Sequence, residues 1–79
     1  MKYCIGLDIS KSTINVHIEK GALDLEIENS SKAIKSLYSK LKKIYKKEIT
    51  NLIFIYEPTG SYSQLLTQFC ARKEIRVFW

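Results

Sequence analysis

The sequence predicts an α/β domain built on one mixed five-stranded sheet. Three observations predict it. Two segments that alternate apolar and polar residues occupy positions 13–19 and 23–28. Two later segments, 34–45 and 62–73, carry apolar residues at three- and four-residue steps. A short apolar stretch follows each of those two, at 52–56 and 75–79. With an apolar run at the N-terminus, the order becomes β-β-β-α-β-α-β.

Residues 2–9 read as a central strand, apolar on both faces. In 13–19, Ile14, Val16 and Ile18 point one way and Asn15, His17 and Glu19 the other, so this strand is covered on one side only. Lys20-Gly21 supplies a tight connection. In 23–28, Leu23, Leu25 and Ile27 face in, while Asp24, Glu26 and Glu28 face water. Short turns make these three strands an antiparallel meander. Asn29-Ser30-Ser31 offers side-chain oxygens for a helix N-cap. Ile34, Leu37, Tyr38, Leu41, Ile44 and Tyr45 then form one face of a helix ending near Lys47. Leu52–Tyr56 is the run expected of a buried parallel strand. Ser61 stands three residues before Gln64, the spacing of a capping box. It predicts a helix from about Tyr62 to Lys73, with Leu65, Leu66, Phe69 and Cys70 inward. Ile75–Trp79 reads as the fifth strand.

Right-handed crossovers give the strand order 3-2-1-4-5, with strand two antiparallel and both helices on one face. Order reverses between strands one and four. Open α/β sheets place their sites at that switch point, past the carboxyl ends of the strands. Asp8 and Glu57 close those two strands. A carboxylate at the end of a buried strand is costly without a partner. Two of them side by side suggest a shared Mg²⁺ or Mn²⁺ site, because hard oxygen ligands suit such ions. The alternative is local: Asp8 caps its turn and Glu57 pairs with a lysine. Ser10, Lys11, Ser12 and Thr13 could orient a phosphate or serve ordinary turn chemistry. Thr59, Gly60 and Ser61 stand at a helix N-terminus, which favours anions, and Tyr62 either stacks on a base or packs. His17 is expected to be remote from both carboxylates. As the only histidine, it weighs against a zinc site.

Composition narrows the rest. Seventy-nine residues make one domain at most. No apolar run approaches the ~18 residues of a membrane span, and Met1-Lys2-Tyr3-Cys4 is too polar a start for a signal peptide. The expected location is cytoplasmic, with no membrane partner. Cys4 and Cys70 fit no metal spacing and read as small buried side chains. Residues 1–30 carry three lysines and five acids, a net −2, whereas 31–79 carry ten bases and three acids, a net +7. Seven lysines fall between Lys32 and Lys47. They form either the solvated face of one helix or a surface that draws in nucleic acid.

The segments Gly6-Leu7-Asp8-Ile9-Ser10-Lys11 and Glu57-Pro58-Thr59-Gly60-Ser61-Tyr62 resemble the N-terminal motifs of the DEDD transposases of insertion sequences, the family that includes the Piv DNA invertases. The resemblance spans the whole chain. It implies a ribonuclease H-like domain similar to the RuvC resolvase, with Asp8 and Glu57 as the first two metal-binding, catalytic carboxylates. Lys11, Thr59, Ser61 and Tyr62 then become candidate nucleic-acid contacts. It also implies DNA as substrate, a guide RNA as a possible partner of the parent, and a metal-dependent recombinase as the parent's activity. The family's remaining two aspartates and a separate C-terminal domain would follow Trp79. Residues 1–79 are therefore expected to be the N-terminal half of a truncated catalytic domain, inactive alone. Its uncovered sheet face or its strand-five edge is expected to support a homo-oligomer. Two other classes share parts of the pattern. Actin-like and sugar-kinase ATPases have the same sheet order, although Ser10 stands where they usually carry Gly. A non-catalytic nucleic-acid-binding module would use the lysine helix alone.

Overall fold

A computed structural model describes residues 2–79. Alternation in the first third produces the meander: β1 is Tyr3–Ile9, β2 is Thr13–Ile18 and β3 is Leu23–Glu28. β1 pairs antiparallel with β2 from Ile5↔Ile18 to Ile9↔Ile14. β2 pairs antiparallel with β3 from Thr13↔Glu28 to Ile18↔Leu23. The first turn closes when the Ser10 N–H and Oγ–H both donate to the Thr13 carbonyl, at 2.9 and 3.0 Å. The second closes from the Ala22 N–H to the Glu19 carbonyl at 2.9 Å, with Gly21 at φ 84°, where glycine has no steric penalty.

The first helix, α1, spans Ser31–Tyr45. Ser30 caps it, its Oγ accepting from the Ala33 N–H at 3.2 Å. The helix stops two residues short of the expected Lys47, and a 3₁₀ segment, Lys46–Asn51, carries the chain to β4 at Leu52–Ile55. β4 lies parallel to β1 from Tyr3↔Leu52 to Gly6↔Ile55. The second helix, α2, spans Gln64–Lys73. β5, Arg76–Phe78, pairs parallel with β4. The strand order is β3-β2-β1-β4-β5, as the crossover argument requires.

One core holds the molecule together. Ile5, Ile14, Val16, Ile18 and Phe54 of the sheet pack with Ile34, Leu37, Leu41, Leu66 and Phe69 of the helices. Tyr38 of α1 meets Phe69 of α2 edge-on, ring centroids 5.5 Å apart. Both helices therefore cover the same sheet face. The opposite face carries Cys4, Gly6 and Asp8 of β1, Asn15 and His17 of β2, Asp24, Glu26 and Glu28 of β3, Ile53 and Ile55 of β4, and Arg76 and Phe78 of β5, by register and alternation. Among the described residues nothing covers it. No helix there is long and apolar enough to cross a membrane.

Two features of α2 differ from the sequence expectation. It starts at Gln64 rather than near Tyr62, so Ser61 is not its cap. Ser63 takes the N-cap position but makes no capping bond, because its hydroxyl is used by the preceding turn. Leu65, expected inward, is 38% exposed. In the first turn of α2 it lies at the edge of the core stripe that Leu66, Phe69 and Cys70 occupy.

Candidate functional site at the β1–β4 switch point

The parallel register of β1 and β4 decides the geometry. Its last pair is Gly6↔Ile55. Two residues further along each chain stand Asp8 and Glu57, on the same side of the sheet by alternation. Both line one notch of about 180 Å³, together with Leu7, Ile9, Gly60, Ser61, Tyr62, Ser63 and Trp79. The notch lies past the carboxyl end of β4, at the point where strand order reverses.

Neither carboxylate is buried. Asp8 and Glu57 are both exposed, contrary to the expectation of charges at the ends of buried strands. The reason is the single-sided cover: both side chains point to the bare face. Neither has a salt-bridge partner, so the local alternative of a Glu57–lysine pair is not realised among the described residues.

The backbone around Glu57 is held closely. Tyr56, immediately before it, is 2% exposed. Its N–H donates to the Phe78 carbonyl at 3.1 Å, and its hydroxyl shares a 2.9 Å hydrogen bond with Thr67 of α2. Burial pushes the Tyr56 phenol up to about 12, against the opposing pull of the Thr67 bond. After Glu57 the chain makes two consecutive turns. The Gly60 N–H donates to the Glu57 carbonyl at 3.4 Å and the Ser63 N–H to the Gly60 carbonyl at 3.2 Å. Ser63 Oγ locks this stretch from beneath, 2.9 Å from the Pro58 carbonyl and 2.8 Å from that of Gly60.

Asn29 ties the two walls together. Its Nδ2 donates to the Ser10 carbonyl at 3.0 Å and to the Tyr62 carbonyl at 2.9 Å. The turn after β1 and the loop before α2 are thus fixed to each other through one side chain. Sequence reasoning missed both Asn29 and Ser63, reading Asn29 only as a cap candidate. Their role depends on loops 33 and 5 residues away, and no local pattern signals that.

Of the other candidates, Ser61 and Tyr62 line the notch, and Tyr62 is half exposed. Lys11 and Thr59 are exposed on neighbouring turns but do not line it. Ser10 is engaged in its turn, bonding to Thr13 through both the carbonyl and Oγ1. His17 is closer to Asp8 than expected. The two side chains line a shallow hollow on the open face with Gly6, Asn15, Asp24 and Glu26. His17 Nδ1 lies 2.6 Å from Asp24 Oδ1, an Nδ1–H donation that leaves Nε2 free toward solvent.

Two carboxylates with nearby hydroxyls and carbonyls make an all-oxygen donor set. That chemistry fits Mg²⁺ or Mn²⁺, which keep several waters and take few protein ligands. Among the described residues no third His, Cys, Asp or Glu joins them, so a cation there would have at most two carboxylate ligands. No family model matches the chain, and no curated protein matches it.

Proposed function

We propose that this chain is part of the ribonuclease H-like catalytic domain of a DEDD-type transposase, with Asp8 and Glu57 holding Mg²⁺ for the cutting and rejoining of DNA. The observation that carries the reading is the meeting of these two carboxylates in one notch at the switch point. The resemblance of Gly6–Lys11 and Glu57–Tyr62 to the family motifs also supports it.

In this reading Asp8 and Glu57 supply half of a four-carboxylate set. Asp8 and Glu57 would hold the metal, and a metal held there would supply charge stabilisation for the oxygens of a phosphoryl displacement. Ser61 and Tyr62 sit where a DNA strand entering the notch would pass. Tyr62 offers an exposed ring for stacking, and Asn29 and Ser63 hold the two walls at fixed spacing. Half a shell binds metal weakly and does not hold two ions, so residues 1–79 alone do not cleave DNA.

Manganese-induced NMR broadening tests the site. It should centre on Gly6–Ser10 and Tyr56–Gly60 and vanish in Asp8→Asn and Glu57→Gln. Broadening centred on Asp24–Glu28 instead would transfer metal binding to the acidic strand and remove the proposed site. In a chain carrying all four carboxylates, either substitution should abolish strand exchange and spare DNA binding. Normal recombination by Asp8→Asn would end the metal mechanism.

A further inference from the structure

Charge in this molecule is sorted by position. α1 runs from the carboxylate end of the sheet, where β3 finishes, to the opposite end, where β4 begins. α2 starts after β4 and returns the same way. Both helix C-termini therefore lie at the pole away from Asp8 and Glu57. α1 has 15 residues, so the two poles are about 22 Å apart at ~1.5 Å per residue.

Lys42, Lys43, Lys46, Lys47, Arg72 and Lys73 crowd that far pole, all exposed. Lys42 and Lys73, from different helices, approach the single ring of Tyr38 to 5.1 and 5.7 Å, so the two helices present one joint surface. Lys20, from the β2–β3 turn, reaches the same end, donating to the Ile44 carbonyl at 3.3 Å. Favourable interaction with two helix dipoles accounts for a cation or two per helix, not for this density, and Lys46 and Lys47 lie beyond α1. No lysine or arginine forms an ion pair among the described residues, where His17–Asp24 is the one pair found. Of the two acids adjacent to this cluster in sequence, Glu48 is bonded to Asn51 at 2.7 Å, and Glu74, next to Lys73, is exposed and pairs with none of these cations.

We infer that this basic pole is a second nucleic-acid contact, binding the phosphate backbone about 20 Å from the carboxylate notch, by the helix rise above. A row of exposed ammonium groups without ion-pair partners, with one small notch of about 170 Å³ beside Lys73 and Glu74, suits a polyanion of repeating charge, which releases counterions on binding. The pole lacks what other anionic partners need. The exposed large apolar side chains are Tyr62, Leu65, Phe78 and Trp79, and all four lie at the carboxylate end. An anionic membrane surface calls for apolar residues to insert, and an acidic protein for aromatic or aliphatic anchors. This inference stands without the notch, because no residue is shared between the two.

Fluorescence anisotropy with labelled 20-nucleotide single-stranded and duplex DNA tests it. Binding should weaken about 100-fold between 50 and 200 mM salt, as four or so phosphate contacts require. The variant Lys42→Gln/Lys43→Gln/Lys46→Gln/Lys73→Gln should bind at least 30-fold more weakly at 50 mM salt, with a shallower salt slope. It should keep the manganese broadening at Asp8 and Glu57, so that failure of either reading is separable. Lys32→Gln/Lys35→Gln, at the other pole, should lose less than threefold. Wild-type affinity in the four-lysine variant, an equal loss in the two-lysine variant, or absence of wild-type binding would each overturn the inference. So would anionic phosphatidylserine vesicles that displace the DNA and bind the wild type more tightly.

Discussion

Ser63 is a buried polar residue, 2% exposed, in an otherwise apolar core. Its hydroxyl bridges two carbonyls of the turn that presents Glu57. Removing it takes the hydroxyl donor from the half-buried Pro58 turn, at about 1 kcal/mol. Ser63→Ala should lower the urea midpoint accordingly and weaken manganese broadening at Glu57 more than at Asp8. A second residue-level consequence concerns alkaline pH. Burial pushes the Cys70 thiol from 9.0 up to about 11, against a lowering hydrogen bond from Tyr56. The folded chain then holds this proton more tightly than the unfolded one. Stability is full below about pH 9 and falls as pH rises through about 11. Tyr56 adds a further loss between its ordinary 10.0 and about 12. Urea titrations from pH 8 to 11 should show a declining midpoint, and Cys70→Ala should flatten the part of the decline between 9 and 11.

At the scale of elements, the ends of the helices are less favourable than their middles. α2 ends on Glu74 in the left-handed region, φ 56° and ψ 38°, its N–H reaching back to the Ala71 and Cys70 carbonyls. A side chain at this position costs energy that glycine does not incur. Glu74→Gly should raise stability by roughly 0.5–1 kcal/mol, after allowing for glycine's greater chain entropy, read as a higher melting temperature. Lys46, one residue past α1, also has a positive φ of 53°, but its ψ of −117° lies outside the left-handed helical region.

The elements also show what was readable from the sequence. Strand alternation and the apolar stripe of α1 were legible because burial on one face imposes a period of two or 3.6. The strand order followed from connection handedness. The pairing of Asp8 with Glu57 followed from strand ends and switch point together. The start of α2 was not legible, because Ser61-x-x-Gln64 and Ser63 offered competing caps and the choice was made by Ser63 bonding to Pro58 and Gly60. The exposure of both carboxylates was missed for a related reason. The uncovered face itself was expected, but the apolar neighbours of Asp8 and Glu57 in sequence imply burial, and alternation instead turns both side chains to that face.

At the scale of the molecule, that bare face is a line of half-buried Ile53, Ile55 and Cys4 running to Phe78, which is 67% exposed. Asp8, Glu26 and Glu28 flank it on the β1–β3 side. Apolar surface of this kind tends to find a partner, and β5 leaves an unpaired edge beside it. Self-association at hundreds of micromolar is expected in sedimentation runs. It should strengthen with added salt, since stacked acidic flanks repel. A strictly monomeric chain with no dye-accessible apolar surface would contradict it.

The two thiols sit on opposite sides of the same sheet. Cys4 is half buried on the open face, while Cys70 is 1% exposed beneath α2. They can therefore serve as two clocks running at different rates. A thiol reagent should label Cys4 in the native state within its bare chemical time. Labelling of Cys70 must wait for the core to open, so its rate reports unfolding in the absence of any denaturant. Whatever comes to lie over the sheet, another copy or a further part of a longer chain, would slow the first clock and leave the chemistry of the second unchanged. The lag between them then measures how well the open face is covered.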